Sequence, residues 1–185
     1  MFLRKTKRRE PVPVTMSGVR MGERLLQVGD VDAAIAGNIA AKVGLSGSAA
    51  AVALDEAGAA RARASAAEAG VLVDVEIAPL ERLPFADAAF DVVVVHGIDR
   101  LTGRVDQPAL AAAAREWYRV VRQGGRVITI EAGTRRGLAG LFGGTSSATS
   151  PSASAATAVL ESGGFRPVRI VGDLEGFKFS EGLKS

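Results

Sequence analysis

Residues 25–33, Leu25-Leu26-Gln27-Val28-Gly29-Asp30-Val31-Asp32-Ala33, run from an apolar strand through a turn into a helix over 34–43. A strand, a turn and a helix in this order bring helix N–H groups to the strand's end. They make an anion or nucleotide site where glycines let a ligand approach the backbone. Gly29 is the turn's one glycine. Val31 is β-branched and disfavours the conformations open to glycine. Asp30 and Asp32 can cap the helix themselves, and would repel a ligand carboxylate by about 4 kcal/mol at roughly 4 Å and an effective dielectric of about 20. The turn is expected to satisfy its own polar groups.

Outward from this turn, strand and helix alternate. Strands are expected near 24–28, 50–54, 71–77, 91–95 and 126–131. Most are continuous apolar runs, the pattern of parallel strands covered on both faces. A helix is expected over 56–69. In another, after Pro108, the residues Leu110, Ala113, Ala114, Trp117, Val120 and Val121 follow i, i+3, i+4, i+7 spacing, and Gly124-Gly125 is expected to stop it. That spacing places Trp117 in the core. Residues 157–162 read as a helix, and 143–156, rich in Gly, Ser, Thr and Ala, as a flexible segment. Arg135 and Arg136 precede a short apolar set ending at Phe142.

At 185 residues and 48% apolar, the chain is expected to form one domain over 15–185, preceded by an arm and an extended Pro11-Val12-Pro13-Val14 linker over 1–14. The absence of cysteine excludes disulfides, thiolate metal sites and cysteine nucleophiles. A single histidine, His96, argues against a histidine-built metal site. His96 reads first as a hydrogen-bonded strand-end residue and, in an enzyme, as a base. No apolar run approaches the ~20 residues that span a bilayer, and the N-terminus lacks a signal peptide's apolar core. A cytoplasmic location is expected, peripheral at the membrane face. The arm carries Arg4, Lys5, Lys7, Arg8 and Arg9 against Glu10, while the whole chain has a formal net charge of +3, so the remainder is slightly acidic. With Phe2 and Leu3 at its tip, the arm suits an anionic leaflet, at about 1 kcal/mol per basic residue, or an acidic protein face. Nucleic acid is the weaker candidate because no second basic patch with aromatics accompanies it.

Several landmarks follow in a recognisable order: the Gly29 turn; Ala50-Ala51-Val52-Ala53-Leu54-Asp55; Glu81-Arg82-Leu83-Pro84-Phe85-Ala86-Asp87-Ala88-Ala89-Phe90-Asp91-Val92; and Glu116-Trp117-Tyr118-Arg119-Val120-Val121-Arg122-Gln123-Gly124-Gly125-Arg126. In this order they resemble class I S-adenosylmethionine-dependent methyltransferases of the type-11-like kind. The resemblance implies an α/β, doubly wound Rossmann-like fold. Its sheet would be mostly parallel and seven-stranded, with an antiparallel C-terminal strand drawn from a final pair near 167–172 and 177–180. It implies cofactor contacts at Gly29 and at Asp55, the ribose-binding acid. Asp55 also reads as the N-cap of the 56–69 helix.

Against that family, Gln27 stands at the first loop's acid, Val31 and Ala33 at two of its glycines, and Pro79 at the acid beside the adenine. Proline offers neither carboxylate nor N–H. Losing one charged hydrogen bond costs about 1.5–3 kcal/mol. These departures predict a domain with no bound cofactor and no catalytic residue: an accessory subunit docked through its arm to a larger membrane-associated complex. There is also a fainter resemblance, through Phe2-Leu3-Arg4-Lys5, to methyltransferase-like subunits of bacterial photosynthetic reaction-centre complexes. The alternative is an active S-adenosylmethionine-dependent small-molecule methyltransferase with a divergent loop.

Overall fold

The computed structural model describes residues 10–29, 32–132 and 155–185. Among them, seven strands form one sheet: β1 (Arg24–Gly29), β2 (Ser48–Ala53), β3 (Asp74–Ile77), β4 (Phe90–His96), β5 (Val121–Ala132), β6 (Val168–Leu174) and β7 (Phe177–Leu183). Their order is β3-β2-β1-β4-β5-β7-β6, and β7 alone runs antiparallel to its neighbours. Helices α1 (Val12–Met16), α2 (Ala33–Ala41), α3 (Glu56–Ala69), α4 (Ile98–Arg104), α5 (Gln107–Val120) and α6 (Ala155–Gly163) lie between or beside the strands. This is the mostly parallel, seven-stranded α/β architecture with an antiparallel C-terminal strand that the family resemblance implies.

The four consecutive valines of β4 explain why its run is unbroken. Val93 and Val95 pack into a core that holds Leu110, Trp117, Leu160 and Phe165 of the α5–α6 side. Val92 and Val94 pack on the opposite face with Val14, Ile35, Ile39 and Phe179. Alternate side chains point to opposite faces, so a strand covered on both sides needs apolar residues throughout.

The close approach of α2 to α3 sets the entrance to the first turn. A Cβ on Gly37 would fall 2.1 Å from the Ser65 carbonyl oxygen, so only glycine lets the helices meet there. The Ser65 hydroxyl accepts from Gly37 N–H (2.8 Å) and donates to the Ala33 carbonyl (2.5 Å), bridging two groups of α2's first turn.

Three local expectations are corrected. Pro11–Val14 is not an extended linker, because α1 starts at Val12, with Pro13 and Val14 buried. Proline is compatible with a helix's first turn, where its missing N–H has no intrahelical acceptor to lose. Gly124-Gly125 does not stop α5. Val121 has already turned extended (φ −73°, ψ 136°) and opens β5 directly. The glycines instead form an irregularity in the β4–β5 pairing, which jumps from Phe90↔Val121 to Val92↔Arg126. Gly124 adopts φ +72°, and a Cβ on Gly125 would meet the Asp91 carbonyl at 2.8 Å. Finally, Ala155 and Ala156 belong to α6 rather than to a flexible segment, and Ala156 is fully buried. The rest of 143–156, the Arg135–Arg136 region and the arm residues Phe2, Leu3, Arg4, Lys5, Lys7, Arg8 and Arg9 lie outside the described residues.

Asp91 ties the start of β4 to both neighbouring strands. It accepts from the Arg24 backbone N–H (2.7 Å), from Arg24 Nε (3.2 Å) and from Arg122 Nε (2.5 Å). Burial alone would raise its pKa, but the hydrogen bonds from Arg122 and Arg24 outweigh it and hold the carboxyl at about 2, against an ordinary 3.8. The folded value lies below the unfolded one. The stabilisation is therefore complete above the unfolded pKa of 3.8 and is lost as pH falls towards 2. The difference corresponds to about 2 kcal/mol. Asp91→Asn is expected to lower stability by about that amount at neutral pH and to flatten the acid limb of the stability curve, as measured by urea unfolding at successive pH values. An unchanged acid limb would remove Asp91 as a source of acid sensitivity.

Candidate functional site

The strand order reverses direction between β1 and β4, and in open α/β sheets ligands bind at the carboxyl ends of strands beside such a point. Here Gly29 ends β1 and pairs with His96 at the end of β4, while Val28 pairs with Val52 of β2. Gly29 takes φ +95°, and a Cβ there would lie 2.5 Å from the His96 carbonyl oxygen. The glycine expected to admit a ligand therefore also lets two strand ends close on each other.

The two residues flanking that junction are engaged with each other. Gln27, at the family's acidic position, is buried; its Nε2 donates to the Ala36 carbonyl of α2 (3.1 Å). That bond fixes the amide, leaving Oε1 as acceptor for His96 Nε2 at 2.9 Å. His96 is itself 1% exposed, and its Nε2 carries a proton that is committed to Gln27. The candidate base is thus placed inside the fold rather than towards a substrate.

Asp55 stands just past β2, where the pattern placed it, and is exposed. Its Oδ1 accepts from Gly58 N–H at 2.6 Å, which makes it the N-cap of α3. Asp32 likewise caps α2 by accepting from Ala34 N–H at 2.8 Å. Ala33 opens α2, and Pro79 is exposed on the loop after β3. Asp30 and Val31 lie outside the described residues.

Gly29, Ala53, Asp55, Arg61, Leu101 and Arg104 enclose a cavity of about 40 Å³. Nucleoside-sized ligands usually need roughly 300 Å³ or more. An acid at the end of β2 suits a ribose, so the donor chemistry fits a nucleoside cofactor while the volume, as it stands, does not. A larger open groove of about 760 Å³ lies between α2, α3 and the residues leading into α1, away from the strand ends. Among the described residues, no group of three His, Asp or Glu converges as a metal site, and no helix is long and apolar enough to cross a membrane.

Arg61, Arg100, Leu101 and Arg104 line this cavity, yet nothing singled them out in the sequence. A usable signal was present. Arg100 and Arg104 are spaced i, i+4 just after the fourth strand, which puts them on one helix face at the sheet's functional edge.

A family model described as a methyltransferase domain matches residues 26–129, more than half of the chain. A ubiquinone/menaquinone biosynthesis C-methyltransferase, UbiE, from Chromobacterium violaceum is 29% identical over 119 residues, covering 64% of this chain and 46% of that protein. UbiE from Geotalea daltonii is 35% identical over 65 residues, 35% of this chain and 25% of its own. The chain spans less than half the length of these curated relatives. Among solved structures, a SAM-dependent methyltransferase from Aquifex aeolicus superposes with a TM-score of 0.67 at 17% identity, covering 93% of this chain and 87% of that one. A second, from Methanosarcina mazei, gives 0.61 at 14% identity, covering 95% and 100%. At such identities the likeness shows the fold alone.

Proposed function

This chain belongs to the methyltransferase domain family, and from that premise we propose that it is an S-adenosylmethionine-dependent methyltransferase domain acting on a small molecule. The observation that carries this is the placement of Gly29 and Asp55 at the ends of adjacent parallel strands beside the point where the strand order reverses. Asp55 would hold the ribose, and the bound cofactor would supply an electrophilic methyl group. At its present volume the cavity requires α4 to shift on binding. Leu101 and Arg104, which close the cavity, sit on a seven-residue helix whose N-cap, Gly97, gives no side-chain cap bond. Such a shift would carry with it Ile98 and Leu101, which pack in the core.

A second proposal has its own observation. The polar groups at the family's ligand positions are used inside the fold: Gln27 on His96 and Ala36, Asp55 on Gly58. That suits a non-catalytic accessory subunit docked to a larger complex through residues 1–10.

Calorimetric titration with S-adenosylmethionine and S-adenosylhomocysteine separates the two. Saturable binding that falls at least about tenfold in Asp55→Ser supports the enzyme, since serine keeps the helix cap but does not reach a ribose. Absence of binding at millimolar ligand sinks it. The accessory proposal then requires that deleting residues 1–10 release the chain from its assembly.

A further inference from the structure

Three large apolar side chains stand almost wholly in solvent at one end of the sheet: Met21 is 79% exposed, Leu45 108% and Leu72 96%. They precede β1, β2 and β3, three adjacent parallel strands, so they gather at the strands' amino ends, opposite the end that carries Gly29 and Asp55. We infer that this face is the interface of a two-fold dimer, in which a second copy of this chain covers the apolar row. The inference holds whichever function the other end of the sheet performs.

The backbone holds this row in place. Met21 Cγ lies 3.2 Å from the point a Cβ on Gly44 would occupy, so Met21 rests on the turn that carries Leu45. Gly22 N–H donates to the Val43 carbonyl (2.8 Å) and Ser48 N–H to the Glu23 carbonyl (3.1 Å), which fastens that turn to the lead into β1. Ala50 pairs with Asp74, and the same register puts Leu72 level with Ser48 at the start of β2. Val71 and Val73, on either side of Leu72, pack against the core, while Leu72 itself is turned outward. The fold makes no use of the three side chains, and a row of exposed apolar groups at adjacent strand ends is the mark of a contact surface.

The flanks select the partner. On the β3 side, Glu68 and Asp74 are exposed. Glu68 lies in the last turn of α3, which has no basic residue there although the helix dipole favours a cation. On the β1–β4 side, Arg20 is exposed, and Arg24 and Arg122 share one carboxylate, Asp91, which leaves one positive charge over. Glu23 is paired with Arg126 and offsets none of it. Along the order β3-β2-β1-β4 the edge therefore runs from acidic through apolar to basic. A two-fold axis through the middle of the row lays the acidic flank of each copy on the basic flank of the other, the self-complementarity an isologous interface requires. An anionic membrane matches less well, because it would repel Glu68 and Asp74 beside Leu72. Three apolar side chains with charged rims fall well short of the roughly 2,000 Å² of an obligate dimer, so the association is expected to be reversible.

The test is sedimentation equilibrium of the full chain at low salt, from micromolar to millimolar concentration. A reversible monomer–dimer equilibrium is expected, with the dissociation constant raised at least about tenfold by Leu45→Glu and less by Leu72→Ser. Arg20→Glu, and Glu68→Lys together with Asp74→Lys, should each weaken the dimer. Mixing the two charge-reversed chains should recover association, because the lysines placed on one copy's acidic flank no longer meet a second copy of themselves, and its basic flank meets the other chain's acids. All these positions are exposed, so thermal melts matching the parent are expected and show that the variants fold. A chain that stays monomeric at millimolar concentration overturns the proposal, as does a dimer that Leu45→Glu leaves unchanged or charge reversals that mixing does not recover. Binding of the monomer to vesicles of anionic phospholipid, abolished by Leu45→Glu, would also overturn it and assign the row to a membrane.

Discussion

Trp117→Ala is expected to cost about 4 kcal/mol of folding stability, and Trp117→Phe less than about 1 kcal/mol. Trp117 is fully buried in the core between α5 and the sheet, with Leu110, Val93, Val127, Leu160 and Phe165. Alanine there leaves a cavity lined by side chains that are held on rigid strands and relax little. Phenylalanine also loses volume, but it removes a burden. Among the described residues the indole Nε1–H has no acceptor, although it is fully buried. A buried donor left unpaired costs about 1–3 kcal/mol, and phenylalanine has no such group. For a domain of this size, the alanine variant should melt roughly 10 °C lower, with an unchanged urea m-value. If phenylalanine were as damaging as alanine, the indole nitrogen would have to be bonded after all. The same core holds Ile98 and Leu101 of α4, so loosening it is expected to reach the edge of the cavity as well.

Much of this fold is legible in the sequence because several local signals agree. Helix α3 matches its expected span, since Asp55 supplies a cap at one end and Gly70, at φ +68°, a left-handed stop at the other. The valine run of β4 could belong only to a strand covered on both faces. Errors arose where one residue type serves two purposes. Proline ends helices but also starts them, as in α1. A glycine pair stops helices but also forms irregularities in strand pairing, as at Gly124-Gly125. The cavity was harder to foresee. Asp55 was legible both as a cap and as a ribose ligand, and the cap is what the geometry displays. The pairing of Gln27 with His96 joins residues 69 positions apart, and Arg61 and Arg104 line one cavity only because α3 and α4 flank the same strand ends. Neither periodicity nor composition carries that information.

Arg119→Ala is expected to destabilise the domain by about 3 kcal/mol, and Arg119→Lys by about 2 kcal/mol. Two stretches that looked like separate landmarks in the sequence, Leu83 to Asp87 and Glu116 to Arg119, are one clamp in three dimensions. The guanidinium donates through Nε to Glu116 Oε1 (2.8 Å), through Nη1 to the Phe85 carbonyl (2.8 Å) and Asp87 Oδ1 (2.7 Å), and through Nη2 to the Leu83 carbonyl (3.1 Å) and Glu116 Oε2 (2.8 Å). Glu116 Oε2 also accepts from Leu83 N–H at 2.8 Å. Every hydrogen of the guanidinium is matched. Lysine offers three donors on one nitrogen and cannot reach acceptors spread along both edges of a plane. The loop held in this way leads from β3 past Pro79 into β4, so the clamp sets where β4 begins. The Arg119 hydrogen bond is the main reason the Glu116 carboxyl titrates below its ordinary 4.5, against burial, which raises it. Glu116 therefore stabilises the fold above that ordinary value and ceases to as pH falls below it. In Arg119→Ala this acid dependence should shrink together with the stability. A double-mutant cycle with Glu116→Gln should give a coupling of about 1–2 kcal/mol near neutral pH. Additive effects of the two substitutions would mean that they act on the loop independently, and the clamp would not exist as a unit.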